Sequence, residues 1–182
     1  MIEVAMSLLM LVLVVAVVGS LAYGALSAAP FLPLKQKDVA RLIAFCQPKP
    51  GELLYDLGCG DGRILIAAVR DYKLRAKGFE VALVPYLMAK IRLFLSGVGP
   101  GAQVRLKNFW RIDLSQADII VCFLTPGAMP KLAAKLHTEL KPGARFASYA
   151  FPLPHQSAAA ISKPLSTDVK ISLYTKIVQP VI

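Results

Sequence analysis

Apolar positions follow two different patterns along this chain. From Val4 to Ala29 no residue carries a charge, and Leu, Val, Met and Ala dominate. A helix of about 20 apolar residues crosses a hydrocarbon layer, and this run is longer than that. A cleaved signal peptide would carry a basic flank and an apolar core of about 7–15 residues. Here the flank is Glu3 with no Lys or Arg. Cleavage near the small residues Ala25–Ala29 and a buried core helix stand as alternatives to the expected retained anchor.

Beyond Pro30 and Pro33 the pattern becomes an alternation of helical and extended periods. Val39, Leu42, Ile43 and Cys46 share one face of a helix over 36–46, which Pro48, Pro50 and Gly51 end. Strands are predicted at 52–58, 77–81, 102–107, 117–124 and 144–151. Helices are predicted at 62–71, 84–96 and 128–140, with a turn at 97–101. Strands alternating with helices of 10–15 residues argue for a mostly parallel, doubly wound α/β sheet. The tail departs from this rhythm: 158–165, a turn at 166–168 and 169–177 read as a closing antiparallel hairpin.

Composition sharpens this division. Of 182 residues 56% are hydrophobic, and mean hydropathy is +0.58, with the excess at the N-terminus. Residues 1–34 are therefore expected to form an anchor and lead-in, and 35–182 one catalytic domain with its own core. All 21 Lys and Arg and ten of the eleven acids lie beyond residue 34, which leaves that part at +11. Next to a bilayer, such charge favours anionic headgroups over nucleic acid, for which no motif is present. Lys35, Lys37 and Arg41 follow the apolar run, so the positive-inside bias puts the domain on the cytoplasmic side of a single-pass membrane protein. Cys46, Cys59 and Cys122 have neither disulfide nor metal spacing, and two histidines give no zinc or serine–histidine site; no metal is expected.

The segment Leu54-Tyr-Asp-Leu-Gly-Cys-Gly-Asp-Gly-Arg63 carries the chemistry. A strand runs into Gly58, Gly60 and Gly62 and a helix follows. Glycines there let the backbone approach a ligand, outside the carboxyl end of a strand, where doubly wound sheets bind nucleotides. A dinucleotide loop seats a pyrophosphate at the helix N-terminus. Here Asp56 and Asp61 would repel phosphates and attract a sulfonium that also carries an ammonium. Glu80 ends the next strand, about twenty residues on, where an acid accepts from ribose hydroxyls. These features predict S-adenosylmethionine as the cofactor, with helix capping as the plainer role for Asp56 and Asp61. A nicotinamide oxidoreductase is the more distant alternative.

The chain resembles the class I, seven-stranded S-adenosylmethionine-dependent methyltransferases. More narrowly, it resembles the lysine methyltransferases of the ATP synthase c-ring protein and the adenine nucleotide translocase, with their prokaryotic relatives. The likeness covers nearly the whole chain: the apolar helix, Ala29–Pro33, Asp56–Arg63, Gly78-Phe-Glu80, Asn108-Phe-Trp-Arg111, Phe123-Leu-Thr-Pro126 and Phe151-Pro-Leu-Pro-His155. It implies a Rossmann-like sheet with cofactor contacts from Asp56, Gly58, Cys59, Gly60, Asp61, Gly62, Glu80, Asn108 and Phe109. Asn108 stands where the family has Asp, and Val81–Val84 replaces an Asn-Pro-aromatic run.

Methyl transfer to an amine needs alignment more than covalent help, and a desolvated lysine beside a sulfonium loses its proton readily. No obvious general base is expected. Thr125 and Pro126 are predicted to border the methyl group, with His155 as a candidate proton acceptor. Phe151, Pro152 and Pro154 are candidates for a lysine slot, and Trp110 for a core or lid position. The leading expectation is protein-lysine methylation of a membrane or membrane-adjacent protein. Lipid or quinone methylation and a non-catalytic S-adenosylmethionine-binding module are the alternatives.

Overall fold

The computed structural model describes residues 1–175. Helix α1 (Ile2–Ser27) is 26 residues long. Its Ile2–Gly24 part is long and apolar enough to cross a membrane, and none of its most apolar stretch is buried against the rest of the protein. The remaining elements alternate: α2 (Gln36–Phe45), β1 (Leu53–Leu57), α3 (Arg63–Tyr72), β2 (Arg75–Glu80), α4 (Leu83–Ser96), β3 (Ala102–Leu106), β4 (Ile119–Cys122), α5 (Met129–Glu139), β5 (Arg145–Tyr149), β6 (Ala160–Ser162) and β7 (Ile171–Tyr174).

The seven strands form one sheet in the order β3-β2-β1-β4-β5-β7-β6. The first five in that order are parallel, and β7 pairs antiparallel with both β5 and β6. Successive β1 residues point to opposite faces, and both faces are covered. Leu54 packs with α2, α3 and α4 through Leu42, Ile43, Leu65 and Ala89. Tyr55 and Leu57 pack with α5 through Met129, Leu132 and Leu136. All five β1 residues are therefore buried, and a short unbroken apolar run was its only sequence signal. Val39, Leu42 and Ile43 are wholly buried on α2, each contributing about 2 kcal/mol of transfer free energy.

The alternating elements and the closing hairpin match the expected architecture, with shifted ends. The apolar run 117–124 gives only four residues of β4, because Asp118 turns its carboxylate to the Leu53 N–H at 2.7 Å and 123–124 leave the sheet to line a cleft. β2 starts two residues early, where Arg75 pairs with Leu53. The hairpin strands are shorter than expected, and the predicted end of the second, 176–177, lies outside the described residues. Strand order reverses between β1 and β4, so a crevice opens beyond their carboxyl ends.

Candidate active site

β1 delivers its chain to that crevice at Gly58, whose φ of +81° is a left-handed conformation open to glycine at no steric cost. The Gly58 and Cys59 N–H groups both donate to the Phe79 carbonyl, at 3.0 and 3.1 Å, folding the loop across the end of β2. Gly60 N–H donates to Glu80 Oε2 at 3.0 Å, while Glu80 Oε1 accepts from the Val81 and Ala82 N–H groups at 2.8 Å each. Glu80 thus braces the loop and lines the cleft at once.

Asp56 is the unusual member. Its carboxyl opens onto the same cleft, only 2% exposed, and no described residue donates a hydrogen bond to it. Burial, then the charges of Glu80 and Asp61, push its pKa up to about 8. A buried carboxyl without a donor costs about 1–3 kcal/mol or more, and a cationic ligand in the cleft removes that cost. The polar set fits S-adenosylmethionine: a partnerless acid for the cationic end, and a braced acid at the end of β2.

Asp61 is held differently. It accepts from Arg63 Nη2 at 2.6 Å and Nε at 2.9 Å, and also from Arg92. Burial works against its charge, but the Arg63 hydrogen bond and the two guanidinium charges hold it below the ordinary carboxylate range. Arg63 also donates to the Leu34 carbonyl, so this cluster fastens the segment between α1 and α2 to the loop. That segment roofs the cleft. The Phe31 ring lies on Gly60, where an added Cβ would come within 2.6 Å of Phe31 Cε2.

Two of the expected loop contacts face elsewhere. The Cys59 thiol packs against Gly78, where a Cβ would meet its Sγ at 2.6 Å, and burial drives its pKa well above the usual thiol value. Cys59 offers the cleft its backbone. Gly62 instead seats α4, since a Cβ there would stand 2.8 Å from Leu93 Cδ1 and 3.2 Å from Ala89 Cβ. At the far wall Asn108 and Phe109 both line the cleft. Asn108 caps the Trp110 N–H at 3.0 Å and donates from Nδ2 to the Tyr23 hydroxyl at 3.3 Å.

A second, larger groove shares a wall with the cleft. Leu32, Pro33, Phe123 and Leu124 line both cavities, and Thr125, Tyr149 and Phe151 continue the groove. The Tyr149 hydroxyl donates to Asp38 Oδ2 at 3.0 Å, and Asp38 also pairs with Arg41 at 3.0 Å. Lys37 and Asp168, an ion pair at 3.0 Å, stand at the rim. Asp38 and Tyr149 were not foreseen. The available signal was an acid four residues before Leu42, on the core side of an amphipathic helix.

The remaining expected residues divide. Thr125 borders the groove, but its Oγ1 and N–H both donate to the Ala28 carbonyl, at 2.6 and 3.1 Å. Trp110 Nε1 donates to the Ser27 carbonyl at 3.1 Å, with Lys131 over its ring. Pro126 opens a 3-10 turn. Phe151 lines the groove, whereas Pro152, Pro154 and His155 lie beyond both linings.

Comparison with solved structures agrees with this geometry. An RNA methyltransferase from Salinibacter ruber, crystallised with S-adenosyl-L-homocysteine, superposes with a TM-score of 0.77 at 25% identity, covering 82% of this chain and 97% of its own. A SAM-dependent methyltransferase from Thiobacillus denitrificans, also with S-adenosyl-L-homocysteine, shares the fold at a TM-score of 0.57 and 21% identity, over 69% of this chain and 53% of its own. Fold and cleft together define a class I methyltransferase that uses S-adenosylmethionine. The ANTKMT methyltransferase domain matches residues 56–160, and the chain belongs to that family of protein-lysine N-methyltransferases. A protein-lysine N-methyltransferase of Saccharolobus islandicus is 35% identical over 67% of this chain and 76% of its own length. The lysine N-methyltransferase of the ATP synthase c-ring protein from rat is 36% identical over 69% of the chain, and the mouse adenine nucleotide translocase lysine N-methyltransferase 34% identical over 72%. The chain spans 57% of the length of each of these two mammalian relatives.

Proposed function

We propose that this chain methylates the ε-amino group of lysine in a membrane protein or a membrane-adjacent segment. Residues 1–34 serve as single-pass anchor and lead-in, and 35–182 as the catalytic domain on the cytoplasmic side. The observation that carries this reading is the groove that joins the cofactor cleft through Phe123 and Leu124, apolar along its walls and acidic at Asp38. An apolar channel with one carboxylate suits a lysine stem ending in an ammonium.

S-adenosylmethionine supplies a methyl group on a sulfonium, ready for in-line displacement by a neutral amine. Asp56 faces its cationic end, Glu80 accepts from the ribose hydroxyls, and the backbone of Gly58, Cys59 and Gly60 lets it approach closely. Phe109 and Asn108 border the base. Asp38, held by Tyr149, draws the incoming ammonium into the groove, whose Leu32, Pro33, Phe123 and Phe151 walls disfavour its charged form and release the proton. Thr125 positions the α1 end over the site through Ala28.

The test incubates the full chain with methyl-labelled S-adenosylmethionine and native membranes, with RNA in a parallel reaction, and maps the label by mass spectrometry. Label on protein lysine is expected. Label in extractable lipid or quinone would support the second enzyme reading, label in RNA a nucleic-acid acceptor. No label alongside measurable cofactor binding would leave a non-catalytic module.

A further inference from the structure

Helix α4 carries an apolar face that the domain does not cover. Pro85 and Ala89 are its buried residues. Leu83, Leu87, Met88, Ile91, Phe94 and Leu95 are exposed, Ile91 to 60%, Leu95 to 75% and Phe94 to 85%. At about 100° per residue these six occupy one continuous arc of about 140°. Lys90 lies at one margin of the arc and Arg92, which also pairs with Asp61, at the other. A soluble helix turned to water would put its charges in the middle of that arc.

The N-terminus of this helix is pinned to α1: the Leu83 N–H donates to Ser20 Oγ at 2.6 Å, and Gly24 sits so close that an added Cβ would stand 3.2 Å from Ala82 Cβ. From Ile2 to Ser20 the helix rises about 27 Å at 1.5 Å per residue, close to the thickness of about 30 Å of a hydrocarbon layer. With Ile2 at one boundary, Ser20 is at the other, and Leu83 is held at the same level. Tyr23, one turn further on, falls in the headgroup zone where tyrosines concentrate.

We infer that the exposed face of α4 lies in the cytoplasmic interface of the bilayer as a second, monotopic membrane contact, with Leu87, Ile91, Phe94 and Leu95 in the acyl boundary and Lys90 and Arg92 among anionic headgroups. An in-plane helix with an apolar face and basic margins has this form. The face is convex and belongs to a single helix, so a fluid lipid surface covers it without a complementary groove. The inference rests on α1 spanning the membrane, and its test separates the two.

The full chain is reconstituted into phosphatidylcholine–phosphatidylglycerol vesicles with single bimane labels at Val12→Cys, Ile91→Cys, Phe94→Cys or Lys49→Cys; the native cysteines are buried. Quenching is compared between doxyl-labelled lipid and aqueous iodide. Lipid-borne quencher should lower the Ile91→Cys and Phe94→Cys emission roughly twofold, as at Val12→Cys, with iodide acting only at Lys49→Cys. Iodide quenching at positions 91 and 94 with Val12→Cys still lipid-quenched would overturn the α4 contact and leave the anchor standing. Iodide quenching at Val12→Cys would sink both. Protection of position 94 from both quenchers, with disulfide-linked dimers of Phe94→Cys, would put a second copy there and overturn the proposal.

Discussion

The Tyr149 hydroxyl donates to the Asp38 carboxylate across 3.0 Å, joining the end of β5 to α2 in the wall of the groove. Burial first, then Asp38, pushes the tyrosine pKa up to about 12, so it remains a donor throughout the range of any assay. Tyr149→Phe should raise the KM for a lysine acceptor and lower kcat/KM about tenfold, the effect of one hydrogen bond to a charged group. S-adenosylmethionine affinity, measured by calorimetry, should stay within about twofold. An unchanged acceptor KM would remove this wall from the acceptor path.

Asp56 predicts a pH dependence of opposite sign to the common carboxylate. Its folded pKa is raised from 3.8 to about 8, so between those values the folded state binds the extra proton and stability falls as pH rises. The Tm of cofactor-free protein should drop by roughly 5 °C or more between pH 5 and pH 8. Asp56→Asn should flatten that slope. Cofactor affinity should move the other way, strengthening as pH rises towards 8, because a cation favours the ionised acid. A flat Tm profile in the unsubstituted chain would contradict the burial assigned to Asp56.

Gly60 and Phe31 should behave as a coupled pair. Gly60→Ala puts a Cβ at φ +53° against the ring, at a backbone cost of about 1–2 kcal/mol before any clash. Cofactor affinity should fall at least about tenfold. Phe31→Ala in the same chain should restore part of it, and a double-mutant cycle on Kd reads the coupling. Purely additive effects would mean that the ring does not cover the bound cofactor.

Glu80→Ala removes the acceptor of three backbone N–H groups, those of Gly60, Val81 and Ala82. It should lose measurable S-adenosylmethionine binding and about 2 kcal/mol or more of stability, while α1 keeps the protein on vesicles in a flotation assay. Gly58→Val, branched at a φ of +81° with Leu124 3.4 Å from its Cβ, should do the same to binding. Unaltered cofactor affinity in both variants would show that the cleft is misassigned.

Local order in the sequence explains which parts could be read from it. The helices announced themselves by periodicity, as at Val39, Leu42 and Ile43, and the strands by short apolar runs between turns. Asp56 and Glu80 stood at loop and strand ends that any parallel sheet brings to one edge. What local pattern lacks is information on pairing between distant segments. Nothing around Phe31 signals that it covers Gly60, and nothing near Tyr149 signals Asp38, 111 residues away. Cys59 and Gly62 sit within the glycine loop, yet alternate direction sends the thiol to Gly78 and the Gly62 face to α4. Such directions are set by tertiary packing.

The last carbonyls of α1 have donors from the domain itself: Trp110 serves Ser27, and Thr125 serves Ala28 twice. Free helix ends leave these groups to water, and a flexible tether would follow from that. Here the span and the sheet move as one rigid body. With α1 in a bilayer, the groove mouth is carried at one fixed height, and acceptor lysines are chosen by altitude above the lipid as much as by neighbouring residues. The anchor is then a measuring rod rather than a leash.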